Sequence, residues 1–226
     1  YGIRSSSSHA LIGGMGGAVI AKAGTGPLLA PGITKTSVFI VVSPVLGMLL
    51  AGLLTVAVSW ICRRRTQRVT DTWFRRLHVV SAGLYSLGHG GNDAQKTLGI
   101  IWLLLIGAGH VSADAKFPPN WVIWSCYIAI GLGTMFGGWR IVKTMGQRIT
   151  KLKPVGGFAA ETGGAMSLFL ASSFGIPVST THTITGAIIG VGSTRRVRAV
   201  RWGVAGNVLI AWILTIPASA LMAAGA

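Results

Sequence analysis

The stretch Gly175-Ile176-Pro177-Val178-Ser179-Thr180-Thr181-His182 has a counterpart at the start of the chain. That counterpart is Gly2-Ile3-Arg4-Ser5-Ser6-Ser7-Ser8-His9, 173 residues earlier, and glycines continue the register, Gly13 with Gly186 and Gly17 with Gly190. Each copy is a cluster of hydroxyl residues followed by histidine and a small, apolar, glycine-spaced run. Such a repeat in an apolar chain predicts a membrane protein built from two related halves, with its substrate bound where the halves meet.

The composition favours the membrane class. Charged residues make up 11% of the chain and hydrophobic residues 51%, whereas about 25% of a soluble domain is charged. A net charge of +16 would suggest a nucleic-acid partner in a soluble protein. Here the basic residues cluster in short loops between apolar runs, as the positive-inside rule expects. We therefore predict an integral, multi-pass protein of the plasma membrane, surrounded by the lipid bilayer, with no nucleic-acid partner and no cofactor.

Three uncharged runs, 38–61, 121–139 and 202–226, are long enough to span a bilayer. The basic loops beside them hold 15 of the 20 Lys and Arg residues, so we predict that these loops face the cytoplasm. They contain Arg63, Arg64, Arg65, Arg68, Arg75, Arg76, Arg140, Lys143, Arg148, Lys151, Lys153, Arg195, Arg196, Arg198 and Arg201.

The loop assignment constrains two further segments. Residues 77–109 cross once, whereas residues 154–192 enter and leave on the same side, because basic loops flank both of their ends. The second segment is therefore predicted to be a re-entrant hairpin with its tip near Gly175-Ile176-Pro177. The two copies then have opposite orientations. The predicted fold is an all-α integral membrane protein with inverted-topology repeats, broken helices and re-entrant hairpins.

The repeat register divides the chain into two parts. Residues 1–22 form the half-helix and helix that end the first repeat, and residues 23–226 hold a transmembrane segment and the second inverted repeat. Because the chain begins within a repeat copy, we expect a preceding N-terminal part of the same protein as a partner. Interface glycines leave a homodimer open as well.

The hydroxyl clusters form the first candidate site. Ser179-Thr180-Thr181 follow Pro177 at the expected N-terminus of a half-helix, and Ser6-Ser7-Ser8 occupy the matching place in the first copy. These residue types are good N-caps. Free backbone N–H groups and the positive end of the helix make such a terminus an anion site. Simple capping explains one such run, but duplication at matching positions favours an oxyanion held between two converging half-helices.

The motif from Gly88 to Gly99 is the second candidate site. Intramembrane charges are costly and are functional by default. The motif offers oxygen ligands for Na⁺ or for a proton-coupled carboxylate, namely Asn92, Asp93, Gln95 and Thr97, and Gly90-Gly91 predicts a break in the helix. The alternative is an Asp93–Lys96 ion pair that only neutralises itself. Glu161 is either a further cation ligand or a residue at the base of the hairpin.

These motifs resemble a known family. Gly91-Asn92-Asp93-Ala94-Gln95-Lys96-Thr97-Leu98-Gly99 is similar to the signature of the inorganic phosphate transporter (PiT) family, and Pro177-Val178-Ser179-Thr180-Thr181-His182-Thr183 resembles its second repeated motif. The resemblance covers nearly the whole chain. It implies a secondary active transporter that moves phosphate with a cation by alternating access. It assigns ligand roles to Asn92, Asp93, Thr97, Ser179, Thr180 and Thr181, and Lys96 joins the candidate phosphate-binding residues.

Some features of the resemblance leave alternatives open. Gln95 and Lys96 differ from the family's commonest form, Asn-Asp-Val-Ala-Asn-Ala, so the co-transported cation is either H⁺ or Na⁺. Relatives of this kind also carry metal–phosphate complexes or sulfate. A divalent metal cargo and a sulfate permease are therefore alternatives. A channel-like membrane subunit is a separate alternative. An intramembrane hydrolase using Ser179 and His182 lacks a Gly-x-Ser-x-Gly elbow, so we predict that the protein is not an enzyme.

Overall fold

The computed structural model describes residues 6–137, 149–176 and 178–226, and this part of the chain is built from seven α-helices and two short 3₁₀ helices. The α-helices are α1 (Ser7–Ala23), α2 (Ala30–Ile61), α3 (Gln67–Gly107), α4 (Asn120–Gly137), α5 (Pro154–Ser173), α6 (Thr180–Arg195) and α7 (Trp202–Ala224). The 3₁₀ helices, Cys62–Arg64 and Val197–Ala199, precede α3 and α7. The predicted all-α class is confirmed. The predictions for residues 2–5, Pro177, Arg140, Lys143 and Arg148 fall outside the described residues.

Two helices of the described chain are long and apolar enough to cross a bilayer. They cover Ala30–Arg64 and Trp202–Ala224, with mean hydropathies of 2.4 and 1.8, and Asn120–Phe136 is a shorter apolar helix. Only 22% and 17% of the two apolar windows are buried inside the protein. The core helix of a soluble protein would bury most of its apolar surface. The outward apolar faces therefore fit a lipid environment.

The structure corrects the prediction of a helix break at Gly90-Gly91. The helix α3 runs without interruption from Gln67 to Gly107, through both glycines. Each helical glycine costs about 1 kcal/mol relative to alanine, whereas a break in an apolar surrounding leaves backbone groups unpaired at a higher cost. The same helix begins before the predicted segment 77–109, so Arg68, Arg75 and Arg76 lie on its first turns rather than in a loop.

The internal repeat is visible in how the helices pack. Helix α1 packs along α7, and α6 packs along α2. A Cβ atom added at four glycines of the repeat register would collide with the backbone of the facing helix: Gly13 with Ile216, Gly17 with Ala220, Gly186 with Pro44 and Gly190 with Met48. These glycines therefore allow the paired helices to approach closely.

The 173-residue offset also relates the two partner helices. Pro44 lies inside α2 and Pro217 inside α7, and 217 minus 44 is 173. Helices α1 and α6 are thus related by the repeat, and so are the helices on which they pack, α7 and α2. The opposite membrane orientation of the two halves stays a prediction.

Helices α5 and α6 form the predicted hairpin and lie at the centre of the packing. The turn between them contains Gly175 at φ 62°, a backbone conformation that glycine adopts at little cost. Helix α5 packs against α2, α3 and α6, and the core cluster it shares includes Ala51, Ala160 and Ile188. This packing sets one face of α3 against the hairpin. The re-entrant position of the hairpin in the membrane stays a prediction.

Candidate functional site

The two hydroxyl clusters begin their helices in the same way. Ser6 is the N-cap of α1 and accepts a hydrogen bond from the His9 backbone N–H, and Ser179 is the N-cap of α6 and accepts from the His182 backbone N–H. The two cap hydroxyls are hydrogen-bonded to each other, with Oγ atoms 2.8 Å apart. Both serines are buried. The N-termini of the two half-helices therefore meet inside the protein.

Asp93 lies beside this meeting point and connects α3 to α6. Its Oδ1 is 2.9 Å from the Lys96 ammonium and accepts a 3.2 Å bond from the Asn92 amide. Its Oδ2 accepts a 3.3 Å bond from the Thr180 hydroxyl, and His89 Nδ1 lies 3.5 Å from the same oxygen. The side chain is only 12% exposed. A carboxylate at this depth is paired with a cation and with a hydroxyl of the candidate anion site.

The unwound backbone before α6 is held by two side chains of α3. The Val178 carbonyl accepts a 2.8 Å bond from the Asn92 amide and a 2.7 Å bond from the Lys96 ammonium. Lys96 also donates to Ser8 Oγ, 2.6 Å away. One lysine therefore touches the first turn of α1, the carboxylate of α3 and the segment that precedes α6.

Tyr85 supports the same junction from one side. Its hydroxyl donates a 3.0 Å bond to the Thr180 carbonyl, and its ring lies against Gly164 of α5, where a Cβ would approach the ring to 3.0 Å. Thr180 is thus fixed through its side chain by Asp93 and through its backbone by Tyr85. The start of α6 is therefore held by hydrogen bonds to side chains of α3.

Glu161 belongs to a separate polar cluster between α5 and α3. Its Oε1 is 2.9 Å from His78 Nε2, and its Oε2 accepts a 2.7 Å bond from the Ser81 hydroxyl. None of its hydrogen bonds within the described residues reaches the Asp93 cluster. The structure therefore gives Glu161 a different set of neighbours from those of the motif residues.

The predicted site residues divide into those that meet and those that do not. One hydrogen-bonded cluster, arranged around the Val178 carbonyl, contains Asn92, Asp93, Lys96, Ser8 and Thr180. The Ser6–Ser179 pair adjoins it, because Ser179 directly follows Val178. Gln95, Thr97 and Ser7 are exposed, and Thr181 is half-buried. In the described part of the chain, the side chains of these four residues form no hydrogen bond to the cluster. Helix spacing does not separate Gln95 and Thr97 from the cluster, because Gln95 is three residues from Asn92 and Thr97 is four from Asp93. Both lie at the margins of the cluster face of α3, where their side chains are exposed.

Sequence reasoning missed four members of these networks: His78, Ser81, Tyr85 and the Val178 carbonyl. A signal for three of them was present. Polar and aromatic side chains recur every three or four residues along α3, at His78, Ser81, Tyr85, His89, Asn92 and Lys96. That spacing places them on one helix face. The carbonyl of Val178 had no comparable signal, because its partners come from a distant helix.

The two repeat histidines pack together rather than with a serine hydroxyl. The rings of His9 and His182 are 4.2 Å apart, and the ring of His182 stacks on Trp212. Among the described residues, neither ring nitrogen of His182 has a hydrogen-bond partner. Ser179 accepts from the backbone of His182 and not from its ring. Ser179 and His182 therefore lack the serine–imidazole contact of a Ser–His hydrolase.

Comparison with known proteins agrees with this architecture. The model of the Phosphate transporter family matches residues 1–223. The chain belongs to that family. It is 59% identical over 224 residues to a protein of Rhizobium meliloti (strain 1021) described as "Probable low-affinity inorganic phosphate transporter", covering 99% of this chain and 67% of the relative. A Bacillus subtilis (strain 168) protein with the same description is 45% identical over 224 residues, again covering 99% of this chain and 67% of the relative.

Other comparisons bear on length and fold. A Mycobacterium tuberculosis (strain ATCC 25618 / H37Rv) relative with that description is 44% identical, covering 99% of this chain and 54% of the relative. The chain thus spans about two thirds of the first two relatives and about half of this one. A solved structure titled "The sodium-dependent phosphate transporter" superposes with a TM-score of 0.86, covering 99% of this chain and 73% of that one at 24% identity. At that identity the likeness shows the fold.

The family assignment decides several predictions. The resemblance drawn from the two motifs is confirmed, and so is the integral membrane class. The protein is a member of a transporter family rather than an enzyme. The roles of individual residues stay proposals.

Proposed function

We propose that the protein is a secondary active transporter of inorganic phosphate, driven by a co-transported cation and working by alternating access. The contact between Ser6 and Ser179 carries this proposal, because it joins the N-termini of two half-helices from different repeats. Helix N-termini present free N–H groups and a positive dipole end to an anion. In folds of this kind the substrate binds at the interface between repeats.

Phosphate is proposed to replace the hydrogen bond between the two cap serines. Ser6, Ser7, Ser8, Ser179, Thr180 and Thr181 are the proposed hydroxyl donors. Lys96 adds positive charge beside Ser8, at 2.6 Å from its oxygen. Because an anion between the caps would contact both half-helices, movement of one repeat against the other would expose the same site to either side of the membrane in turn.

The proposed cation site lies on α3 next to the anion site. Asp93 and Asn92 supply a carboxylate and an amide within the cluster, and Gln95, Thr97 and Glu161 are further candidates on α3 and α5. The sodium-dependent phosphate transporter with the same fold supports a co-transported cation. The cation is proposed to be H⁺ or Na⁺, and a divalent metal is proposed as a cargo that accompanies phosphate.

Uptake by the full-length protein in proteoliposomes tests the function. We expect labelled phosphate to accumulate above its external concentration when an ion gradient is imposed, and to stop accumulating when the gradient is collapsed. Equilibration without accumulation would indicate a channel. Stronger competition by sulfate than by unlabelled phosphate would indicate a sulfate permease. Stimulation by Mg²⁺ at constant phosphate would identify a metal–phosphate complex as the cargo.

A further inference from the structure

The ammonium group of Lys96 lies among oxygen atoms from three separate segments. Its Nζ is 2.6 Å from Ser8 Oγ on α1, 2.9 Å from Asp93 Oδ1 on α3 and 2.7 Å from the Val178 carbonyl oxygen before α6. An ammonium group has three N–H donors, so these contacts use all of them. The side chain is 12% exposed. The charged group is therefore held in one place by the protein.

The oxygens around Lys96 are of the kinds that bind hard metal cations. Carboxylate, carbonyl and other neutral oxygens form such sites in proteins. In transporters built from broken helices, the unwound backbone carbonyls beside a half-helix coordinate the coupling ion. The Val178 carbonyl is in that position, directly before the cap residue Ser179. A cation at the position of Nζ would contact the starts of both half-helices.

We propose that the Lys96 ammonium is a tethered cation that occupies this oxygen site, so that phosphate transport by this protein does not depend on Na⁺. The inference rests on the proposed function and excludes Na⁺ from the two cations proposed there, H⁺ and Na⁺. Because the ammonium is covalently attached, it supplies positive charge to the anion site but cannot leave with the substrate. A free metal ion would have to displace it from three hydrogen bonds in order to bind.

A plain ion pair between Lys96 and Asp93 makes a different prediction. If Lys96 only neutralises Asp93, its replacement by a neutral residue leaves an unpaired carboxylate and gives no response to Na⁺. If Lys96 occupies a cation site, its removal leaves an oxygen-lined space with the carboxylate still present. Na⁺ can then enter and restore the charge. A neutral variant of Lys96 therefore gains a response to Na⁺ only if Lys96 occupies a cation site.

Phosphate uptake in NaCl and in choline chloride of equal ionic strength tests the proposal in the full-length protein. We expect equal rates in the two salts for the wild type. For Lys96→Gln and Lys96→Ala, we expect phosphate uptake to be about tenfold faster in NaCl than in choline chloride, which is within the range usual for coupled ligands. Lys96→Arg keeps the charge and should stay independent of Na⁺. Lys116→Gln, in the exposed loop before α4, is the matched control and should behave as the wild type.

Thermal stability provides a readout that does not depend on transport. Na⁺ should raise the melting temperature of purified Lys96→Gln relative to choline and leave that of the wild type unchanged, because only the variant has an open site. A Na⁺-dependent melting temperature or uptake rate in the wild type would overturn the inference while leaving phosphate transport intact. Folded Lys96→Gln with no Na⁺ response in either measurement would also overturn it. Absence of phosphate uptake under every ion gradient would instead contradict the proposed function, and the melting temperatures would still decide the Na⁺ site.

Discussion

The two half-helices α1 and α6 begin with the same local structure but have different surroundings. Ser6 and Ser179 cap them identically, and His9 and His182 follow at the same position. One residue after the cap, however, Thr180 is buried and bonded to Asp93, whereas Ser7 is exposed.

The difference arises because α3 contacts the two half-helices through different side chains. Its lysine donates to Ser8 of α1, and its carboxylate accepts from Thr180 of α6. The repeat therefore fixes the caps and the helix packing, while a single helix sets the electrostatics of both half-helices. The following predictions test how far the two regions are equivalent.

The largest effect is expected for Asp93→Asn, which removes the charge and keeps the shape. The change removes the carboxylate that accepts from Thr180, one of several contacts between α3 and α6, and leaves Lys96 without its anionic partner. Loss of one member of a buried, hydrogen-bonded charge pair costs about 2–5 kcal/mol, so coupled phosphate uptake should be abolished. The rate of uptake into vesicles measures this. Asp114→Asn, in an exposed loop, is the control, and near wild-type accumulation by Asp93→Asn would reject a coupling role.

A smaller effect is expected when the repeat glycines gain a Cβ atom. Gly13→Ala and Gly186→Ala each force a methyl group into the backbone of a facing helix. Overpacking of this kind costs about 1–3 kcal/mol, so both variants should melt at lower temperature in detergent. Gly16→Ala is the matched control, because its Cβ would meet no atom within 4 Å. If Gly186→Ala melts early and Gly13→Ala does not, the two packing contacts are not equivalent.

Loss of single hydroxyls compares the two half-helices directly as anion ligands. Thr180→Val keeps the side-chain volume, and Ser7→Ala is the corresponding change in the first copy. Loss of one neutral hydrogen bond costs about 0.5–1.5 kcal/mol, so both purified variants should bind phosphate more weakly. Isothermal titration with phosphate measures the affinity. Unchanged binding by both would mean that the hydroxyl runs are only helix caps.

The smallest perturbation tests the orientation of the whole chain. Cys62 is partly exposed and is the first residue of the basic 3₁₀ helix Cys62–Arg64, whereas Cys126 is buried against α3. If the basic loops face the cytoplasm, a membrane-impermeant thiol reagent should modify Cys62 in inside-out vesicles and not in intact cells. Cys62→Ala should abolish the labelling. Modification of Cys62 from outside would reverse the predicted topology and remove the argument for a re-entrant hairpin.

Part of the candidate site was predictable from the sequence. The runs that contain the caps, the motif residues Asn92, Asp93 and Lys96, and the apolar spans all follow from residue types and spacing within one segment. The continuity of α3 did not follow. Gly90-Gly91 carry the same local signal whether a helix breaks or continues, and the cost of unpaired backbone groups in apolar surroundings decides the outcome.

The sequence by itself determined the membrane class, the internal repeat and the family, because composition and short motifs are local properties of the chain. Only the tertiary structure decided which motif residues meet. Ser6 and Ser179 are 173 residues apart and form one hydrogen bond, while Gln95 and Thr97 lie within the motif and have exposed side chains. The physical reason is that a side chain's direction depends on its helix face, and its partners depend on which helices pack against that face. The three hydrogen bonds of Lys96 join segments that only packing brings together.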